Sequence, residues 1–310
     1  MLRLVLDRGS VAIPPESMFL SDFAPARRSG NLGDPAQAEQ LMRAVWSHPR
    51  VRLWDLSGDP PAVPPGLTHA EAYRFIVSAP FRAYADRETK TRWADKTPLY
   101  LHCVDELAEI WPEARFLILV RDGRDVALSV LRVPFGANNI WAAARSWKEA
   151  VLLGRRAERR YPDRVLTVRY EDLVEEPEAQ SRRVCAFLDL PFDPDMLAIE
   201  RTEASKIVKD QSGWFTNIRA GINSTAVGKW RKEMTPNQQR TFERVAGREL
   251  EELGYETVTT PSGGWGLMPA LYAAHDAGLR VANFVRLRLV QERGREVRYV
   301  VMRKWARAWR

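Results

Sequence analysis

Cysteine and histidine are scarce in this chain of 310 residues, and their scarcity excludes two classes of protein. The two cysteines, Cys103 and Cys185, each have an apolar neighbour, which excludes a disulfide scaffold and predicts two buried free thiols in a reducing cytoplasm. The four histidines are scattered, and His102 is directly adjacent to Cys103 rather than spaced from it as metal ligands are. The sequence therefore predicts a cytoplasmic protein without a metal site.

Long apolar runs are also missing. Met1 is followed at once by charged residues, so no secretory signal is expected. The longest uncharged run, residues 257–274, contains two prolines and three glycines and predicts a loop and the start of a helix, not a membrane span. The phosphate-binding pattern GxxxxGK[ST] does not occur, which argues against a P-loop kinase.

Acidic residues are fewer than basic ones, with 40 Asp and Glu against 47 Lys and Arg, but the imbalance is local. Residues 278–310 contain ten Lys and Arg and two Glu, a net charge of +8, so residues 1–277 together carry −1. A nearly neutral body lacks the clustered basic face of a nucleic-acid-binding domain. We therefore predict no nucleic-acid partner.

Strand and helix patterns alternate through the centre of the chain. Residues 115–120 (RFLILV) are an apolar run of strand length, typical of a strand covered on both faces. A helix pattern starts at Val126, a second helix covers 141–160, a second strand covers 165–170, and another helix covers 177–188. This order predicts an α/β protein with a doubly wound parallel sheet.

Start and stop signals define further elements. Residues 11–13 form a short strand that ends at a Pro-Pro pair, because proline removes a donor and restrains the residue before it. Thr68 and Glu71 make a capping box for a helix that we expect to be interrupted at Pro80. Residues 235–238 (TPNQ) give a later helix the same kind of start.

Chemically active side chains lie where strands end, which is where open α/β sheets bind ligands. Arg121 follows the strand at 115–120, and Ser129 lies eight residues on, so together they offer donors to an anion near a helix N-terminus. The alternative is that Arg121 pairs with Asp125 or Asp172 and that Ser129 is a buried small residue. Local spacing leaves both interpretations open.

Three other junctions carry candidate residues. Glu16 follows the Pro-Pro pair on a rigid turn, which suits a general base, although a solvated surface glutamate fits the same pattern. Lys96 and Thr97 lie between a short strand and a helix, where a surface lysine before a threonine cap is the alternative. Tyr170 stands at a strand end, where it either lies flat on a base or is a core tyrosine.

Five segments together resemble the sulfotransferases that use 3′-phosphoadenosine 5′-phosphosulfate (PAPS), especially the branch with carbohydrate, tyrosylprotein and bacterial lipid enzymes. In order they are AIPPES (12–17), DKTP (95–98), FLILVRDGRDVALS (116–129), VRYEDLV (168–174) and VGKWRKEMT (227–235). The resemblance covers about residues 1–255 and implies the sulfotransferase fold, a P-loop-NTPase-like parallel sheet flanked by helices. We accordingly expect a sulfotransferase-like α/β domain over residues 1–260 and a basic C-terminal extension over residues 261–310.

The resemblance assigns a nucleotide site to five residues. It implies that Arg121 and Ser129 hold the 3′-phosphate and that Tyr170 contacts the adenine side. Gly228 and Lys229, which precede a tryptophan, would close over the nucleotide.

The resemblance also implies an enzyme that transfers a sulfuryl group from PAPS to a hydroxyl of a sugar, a lipid or another small molecule. Glu16 would accept the proton of the acceptor hydroxyl, and Lys96 would stabilise charge near the transferring group. As in phosphoryl transfer, the protein mostly positions the reactants and neutralises charge, here without a metal. The alternative is a catalytically inactive nucleotide-binding or interaction protein of the same fold.

One feature of the family is missing. Its members open with an apolar strand and a loop like GxPRSGTT that cradles the 5′-phosphosulfate, whereas residues 1–7 resemble the helix that follows this loop. Without the loop we expect no turnover, since losing even one transition-state donor costs roughly 10²- to 10³-fold. We expect that the start was assigned too late and that the native protein has roughly 20 more residues. The alternative is a true, inactive short form that holds at most the 3′-phosphate end of the nucleotide.

The basic tail lies beyond the resemblance. Trp305 and Trp309 are four residues apart among arginines and a lysine, a pattern that suits an amphipathic helix on an anionic membrane surface. The alternative is a solvated helix that packs its tryptophans on the body of the protein or on a second copy of the chain.

Overall fold

The computed structural model of the protein describes residue 6 and residues 9–133, 136–197, 227–259 and 267–291, with side chains described up to residue 279. In chain order the elements are β1 (Val11–Ala12), α1 (Ala24–Arg28), α2 (Pro35–Trp46), α3 (Pro49–Arg52), α4 (His69–Arg87), β2 (Arg92–Trp93), a 3₁₀ helix (Pro98–Cys103), α5 (Val104–Ile110), β3 (Phe116–Val120), α6 (Gly123–Val130), α7 (Ile140–Arg160), β4 (Val165–Arg169), α8 (Tyr170–Glu175), α9 (Pro177–Phe187), a second 3₁₀ helix (Pro194–Leu197), α10 (Trp230–Glu233), α11 (Pro236–Glu252) and α12 (Met268–Gln291).

The chain divides into two compact units. Of the described residues, the first unit contains those up to 115 together with 177–197, and the second contains 116–176, 227–259 and 267–291. Each is described by itself below.

A two-stranded parallel sheet lies in the first unit. Val11 of β1 is opposite Arg92 of β2, and Ala12 is opposite Trp93. Beyond the second pair, the Ala94 amide donates to the Ala12 carbonyl at 2.9 Å. Because parallel strands run in the same direction, the segments that follow β1 and β2 leave the sheet at the same edge.

Helix α4 begins at the predicted capping box, in which Thr68 and Glu71 each bond the other's backbone amide. The expected interruption at Pro80 is wrong, because the helix runs unbroken to Arg87. Proline removes one hydrogen bond from the helix, but the residues around it, including Ile76 and Phe81, are fully buried. Packing of this face outweighs the lost bond, as tertiary contacts commonly outweigh helix propensity.

Aromatic rings form much of the core of the first unit. The Phe81 ring stacks on Trp93 with centroids 4.5 Å apart, and Trp54 and Trp111 pack on this pair. The Trp111 Nε1 donates to the Ser78 hydroxyl at 2.9 Å, which satisfies its polar end inside the core. This cluster supports β2 from α4 and from the end of α5.

The second unit contains the other parallel pair, and it confirms the predicted α/β fold with parallel strands. All five residues of β3 pair with β4, from Phe116 opposite Val165 to Val120 opposite Arg169. The predicted strands and helices of this region are found within a residue or two of their expected ends, apart from the start of α6, which begins at Gly123. The carboxyl ends of β3 and β4 therefore lie in register at one edge.

The first residue of α6 must be glycine because buried aromatic side chains leave no room for a Cβ there. A Cβ at Gly123 would lie 2.6 Å from Cζ of Phe242 and against the ring of Trp147. Both rings belong to the buried core of α7 and α11, together with Trp230 and Leu250. The helix that follows β3 is thus held against this core from its first turn.

The N-terminal half of α12 packs on α7. The Tyr272 ring stacks on Trp141 with centroids 6.5 Å apart, and the Asn139 amide donates to the Tyr272 carbonyl at 3.0 Å. The Asn138 amide donates to an Asp276 carboxyl oxygen at 2.9 Å. The predicted helix start within residues 257–274 agrees with the start of α12 at Met268, and most of the predicted loop lies outside the described residues.

Both cysteines are free and buried, as predicted. Within the described ranges, no helix has the length and apolar character that crossing a bilayer requires. The expected helix at residues 1–7, apart from Leu6, and the tail with Trp305 and Trp309 lie outside the described residues.

Candidate active site

The two residues predicted for catalysis lie together in the first unit. Glu16 follows β1 and Lys96 follows β2, and the Lys96 Nζ donates to the Glu16 carboxylate. Their side chains are 36% and 47% exposed, so solvent reaches both. Glu16 is therefore an ion-paired residue at a sheet edge and not the fully solvated glutamate of the alternative interpretation.

A group of polar side chains, buried except for the partly exposed Asp95, lies directly beside this ion pair. The Ser17 hydroxyl donates to Asp95 Oδ2 at 2.6 Å, and the Thr97 hydroxyl donates to Asp95 Oδ1 at 3.1 Å. The Ser17 hydroxyl is also 2.7 Å from the Tyr100 hydroxyl, which accepts a bond from the Leu20 amide at 3.3 Å. Thr97 thus binds a carboxylate and does not cap the following 3₁₀ helix, contrary to the alternative interpretation of this segment.

Burial changes the ionisation of this group. It raises the pKa of Asp95 to about 6, although the bonds from Ser17 and Thr97 oppose the shift and the Glu16 carboxylate adds to it. Burial and the neighbouring Asp95 hold the pKa of Tyr100 well above its usual value. A carboxylate that titrates near pH 6 therefore lies between the loops that carry Glu16 and Lys96.

Arg121 and Tyr170 meet in the second unit, as the register of β3 and β4 requires. The Arg121 guanidinium lies 4.9 Å from the centroid of the Tyr170 ring. The Arg121 backbone is held by Trp147, whose Nε1 donates to its carbonyl at 3.0 Å. Tyr170 is half-buried, and burial raises its pKa while the Arg121 charge opposes the shift. One face of this tyrosine is therefore covered by a cation.

Asp125 connects this edge to the Gly228-Lys229 turn. Its buried carboxylate accepts from the Gly228 amide at 2.7 Å and from the Trp230 amide at 2.9 Å. The same carboxylate lies 3.6 Å from an Arg121 nitrogen. Burial raises the pKa of Asp125, and the two amides and Arg121 oppose the shift. Arg121 therefore contacts Asp125, one of the two partners expected under the alternative interpretation, while Asp172 pairs with Arg169 at 3.8 Å.

Gly228 has a backbone that requires glycine. Its φ of +70° lies in the left-handed region that other residues rarely adopt. Lys229 follows at the N-terminus of α10 and is half-buried. The predicted glycine-lysine pair is therefore a tight turn that Asp125 fixes through the backbone.

Ser129 lies further along α6 and is exposed, so the alternative of a buried small residue is wrong. It is four residues after Asp125, and residues at this spacing share one face of a helix. Arg121 contacts Asp125 at the same spacing. Asp125 and Ser129 thus share one face of α6, and Arg121, which precedes this helix, contacts Asp125.

Sequence reasoning missed the different roles of the two arginines in RDGRD. Arg124 is 1% exposed, with ion pairs to Asp122 at 2.8 Å and to Glu243 at 2.7 Å. Its guanidinium also lies 3.5 Å from the Trp230 ring centroid. Arg124 is thus a core residue, and Arg121, 23% exposed, is the more accessible of the two. The one signal in the sequence for the buried role of Arg124 was its aromatic partner, Trp230, which directly follows the Gly228-Lys229 pair.

The ends of β3 and β4 are tied by a further carboxylate. Glu171 accepts from the Asp122 amide at 3.0 Å and from the Tyr255 hydroxyl at 2.8 Å. Because Asp122 follows Arg121 and Glu171 follows Tyr170, this bond fixes the two ligand candidates relative to each other. Within the described part of the chain, no three histidine, cysteine or acidic side chains gather as a metal site would require.

Comparison with known proteins identifies relatives of this chain. Residues 1–194 match the model of the Sulfotransferase family. Protein-tyrosine sulfotransferase A of Caenorhabditis elegans is 28% identical over 177 residues, which cover 55% of this chain and 46% of that protein. Nodulation protein NoeE of Sinorhizobium fredii is 28% identical over 207 residues, covering 59% of this chain and 49% of that protein. The matches thus span about half the length of these relatives.

A solved structure has the same fold. The sulfotransferase domain from the Synechococcus PCC 7002 olefin synthase matches with a TM-score of 0.51 and 23% identity, covering 82% of this chain and 90% of that domain. This likeness agrees with the predicted α/β architecture.

Proposed function

The chain belongs to the Sulfotransferase family, and on that premise we propose that it transfers a sulfuryl group from PAPS to a hydroxyl group of an acceptor. The observation that carries the proposal is the edge of β3 and β4, where Arg121 and Tyr170 meet and Asp125 fixes the Gly228-Lys229 turn. Cationic, aromatic and backbone groups gather there on adjacent parallel strands, as a nucleotide site requires.

The chemistry of these residues fits a 3′-phosphorylated nucleotide. The partly exposed Arg121 guanidinium suits a phosphate, since a planar fork of donors can bind two of its oxygens. The exposed Ser129 hydroxyl, on the same face of α6 as Asp125, would supply a neutral donor. Tyr170 offers an aromatic surface beside the cation, and Lys229 a second positive charge on a fixed turn.

The remaining groups handle the proton of the acceptor. When bound, PAPS supplies a sulfuryl group whose sulfur bonds to the acceptor oxygen while its bond to the 5′-phosphate oxygen breaks. Glu16 accepts the hydroxyl proton on its carboxylate. Lys96 pairs with this carboxylate and offers its ammonium group to negative charge that develops nearby.

The nucleotide site is tested by binding of the desulfated nucleotide, 3′-phosphoadenosine 5′-phosphate, against adenosine 5′-phosphate. Arg121→Ala should lower affinity for the first about 10- to 100-fold, since a charge-assisted bond to phosphate is lost, and change affinity for the second much less. Arg132→Ala is the matched control, because Arg132 pairs with Glu233 beyond the other end of α6. An equal loss for both nucleotides, or an equal loss in the control, would contradict the assignment.

The catalytic assignment is tested by transfer of labelled sulfate from PAPS. Glu16→Gln should abolish transfer and leave nucleotide affinity unchanged, and Glu39→Gln, on the exposed face of α2, is the control. If the nucleotide binds as proposed and no acceptor is sulfated, the chain is the inactive nucleotide-binding protein of the alternative hypothesis.

The acceptor we propose is the hydroxyl of a sugar, a lipid or another small molecule. A screen with labelled PAPS tests these classes, and the name of the C. elegans relative is the reason to include a tyrosine-containing peptide. Labelling of the peptide alone would contradict the proposed acceptor class.

We also propose a domain boundary near residue 260, a cytoplasmic location, and a contact of the basic tail with an anionic membrane or a second copy of the chain. Removal of residues 295–310 tests the tail. Unchanged binding to anionic vesicles and an unchanged oligomeric state would refute both contacts.

A further inference from the structure

The strands before Glu16 and Lys96 are too short to fix these residues by themselves. β1 and β2 consist of two residues each, and the segments that follow carry the ion pair. An ion pair at this exposure restrains its partners weakly. Something else must hold the two loops at a constant separation if Glu16 is to receive a proton at a defined place.

Asp95 is placed to do this. It directly precedes Lys96, and its carboxylate binds Ser17, which directly follows Glu16. The other carboxylate oxygen accepts from the hydroxyl of Thr97, so the residues on either side of Lys96 are bonded to each other. A single side chain thus joins the Glu16 loop to the Lys96 loop.

The direction of the hydrogen bonds depends on the charge of Asp95. Ser17 has one hydroxyl proton and gives it to Asp95, so in its contact with Tyr100 the tyrosine is the donor. Tyr100 in turn accepts from the Leu20 amide. Every donor in this chain of bonds points toward Asp95, an arrangement that suits an ionised carboxylate.

Protonation of Asp95 reverses part of this order. A proton on Oδ2 can be donated to the Ser17 hydroxyl, whose own proton then turns to Tyr100, while Oδ1 still accepts from Thr97. Burial raises the pKa of Asp95 to about 6, which brings this change close to neutral pH.

The pH response of Asp95 can be distinguished from that of the other titratable groups near it. Burial raises the pKa of the Cys103 thiol to about 12 and raises that of Tyr100 well above its usual value, so neither changes charge between pH 5 and 8. Lys96 neighbours Asp95 in the chain, and Glu16 adds to its electrostatic surroundings. Glu16 is removed from the test by substitution.

We infer that Asp95 is a positioning residue that holds the Glu16 and Lys96 loops together through Ser17, Thr97 and Tyr100. The inference rests on the proposed function, because that function makes Glu16 and Lys96 the catalytic pair. It adds a residue whose hydrogen bonds set the geometry of these two groups.

The first test measures amide hydrogen exchange in the full chain between pH 5 and 8, corrected for intrinsic rates. Protection of the Leu20 amide should rise about 10-fold as the pH drops through 6, because a carboxyl group whose pKa is raised in the closed loops stabilises them when it is neutral. Asp95→Asn should show the same protection at every pH, and Glu16→Gln should keep the pH dependence of the wild-type chain. Protection that is equal at pH 5 and pH 8 would overturn the inference.

The second test measures kcat and KM of sulfuryl transfer. Asp95→Asn and Ser17→Ala should each lower kcat about 10- to 100-fold, since catalytic groups are displaced. Nucleotide affinity should be unchanged, and Ser21→Ala, a buried serine outside these bonds, is the control. An unchanged kcat in Asp95→Asn at pH 7.5 would also overturn the inference.

The two tests separate the inference from the function on which it rests. If the wild-type chain transfers no sulfate, the proposed function fails, and hydrogen exchange still decides whether Asp95 joins the loops. If Asp95→Asn does not fold, the exchange of wild type and Ser17→Ala across pH decides the same point.

Discussion

Asp95 should make the stability of the protein depend on pH in an unusual direction. Its pKa is about 6 in the folded chain, and it returns to its ordinary value of 3.8 on unfolding. Between these two values the folded state holds a proton that the unfolded state has released. The free energy of unfolding therefore falls as the pH rises from about 4 to about 6, opposite to the effect of a salt-bridged aspartate.

The size of the effect follows from the shift. A difference of two pKa units corresponds to about 3 kcal/mol. Because Asp95 is only partly buried, solvent screening reduces this value, and we expect about 2 kcal/mol. Asp95→Asn cannot titrate, so the difference in stability between wild type and variant isolates this one group.

Urea unfolding of both proteins at several pH values between 4 and 7 measures the difference. The stability of the wild type relative to Asp95→Asn should fall by about 2 kcal/mol across this range. Asp59→Asn, the same change at an exposed position of the first unit, is the matched control. A difference that stays constant with pH, or that increases with pH, would refute the reasoning.

Two further substitutions test the second unit. Asp125→Asn should weaken nucleotide binding about 10-fold, because the asparagine side chain has a single acceptor oxygen and cannot hold the backbone amides of both Gly228 and Trp230. Isothermal titration calorimetry measures the affinity, and an unchanged value would show that this turn is not part of the site. Gly123→Ala should destabilise the fold by about 1–3 kcal/mol, since its Cβ meets the Trp147 ring. Urea unfolding measures the loss, and Gly278→Ala, at a position with open space around it, is the control. Equal stability of the two variants would contradict the prediction.

The sequence was informative about the places where strands end. Apolar runs and prolines predicted the strands, and the residues that follow them, including Glu16, Lys96, Arg121 and Tyr170, lie where the strands of the two parallel pairs end. Local signals of this kind depend on a few neighbouring residues, so they can be recognised without knowledge of the fold. The capping box at Thr68 was predictable for the same reason.

The sequence was less informative wherever distant residues decide the outcome. Nothing near Pro80 indicates that the surrounding helix face is buried enough to keep the helix intact. Ser17 and Asp95 are 78 residues apart, and each looks like an ordinary surface residue until β1 and β2 pair. Arg121 and Arg124 have similar neighbours, and only the fold shows which one the core encloses.

The ion pair of Arg124 with Glu243 has a consequence for synthesis of the chain. The two residues are 119 positions apart, and Glu243 also accepts from the amides of Val258 and Thr259. A ribosome therefore completes β3, α6 and β4 long before this second carboxylate partner of Arg124 emerges. Until then the nascent second unit would have to bury the Arg124 guanidinium with Asp122 but without Glu243, which leaves one of its donors without an acceptor and is unfavourable. Folding of this unit on the ribosome should accordingly wait for α11, and its early segments depend on chaperones or on continued exposure to water during that interval.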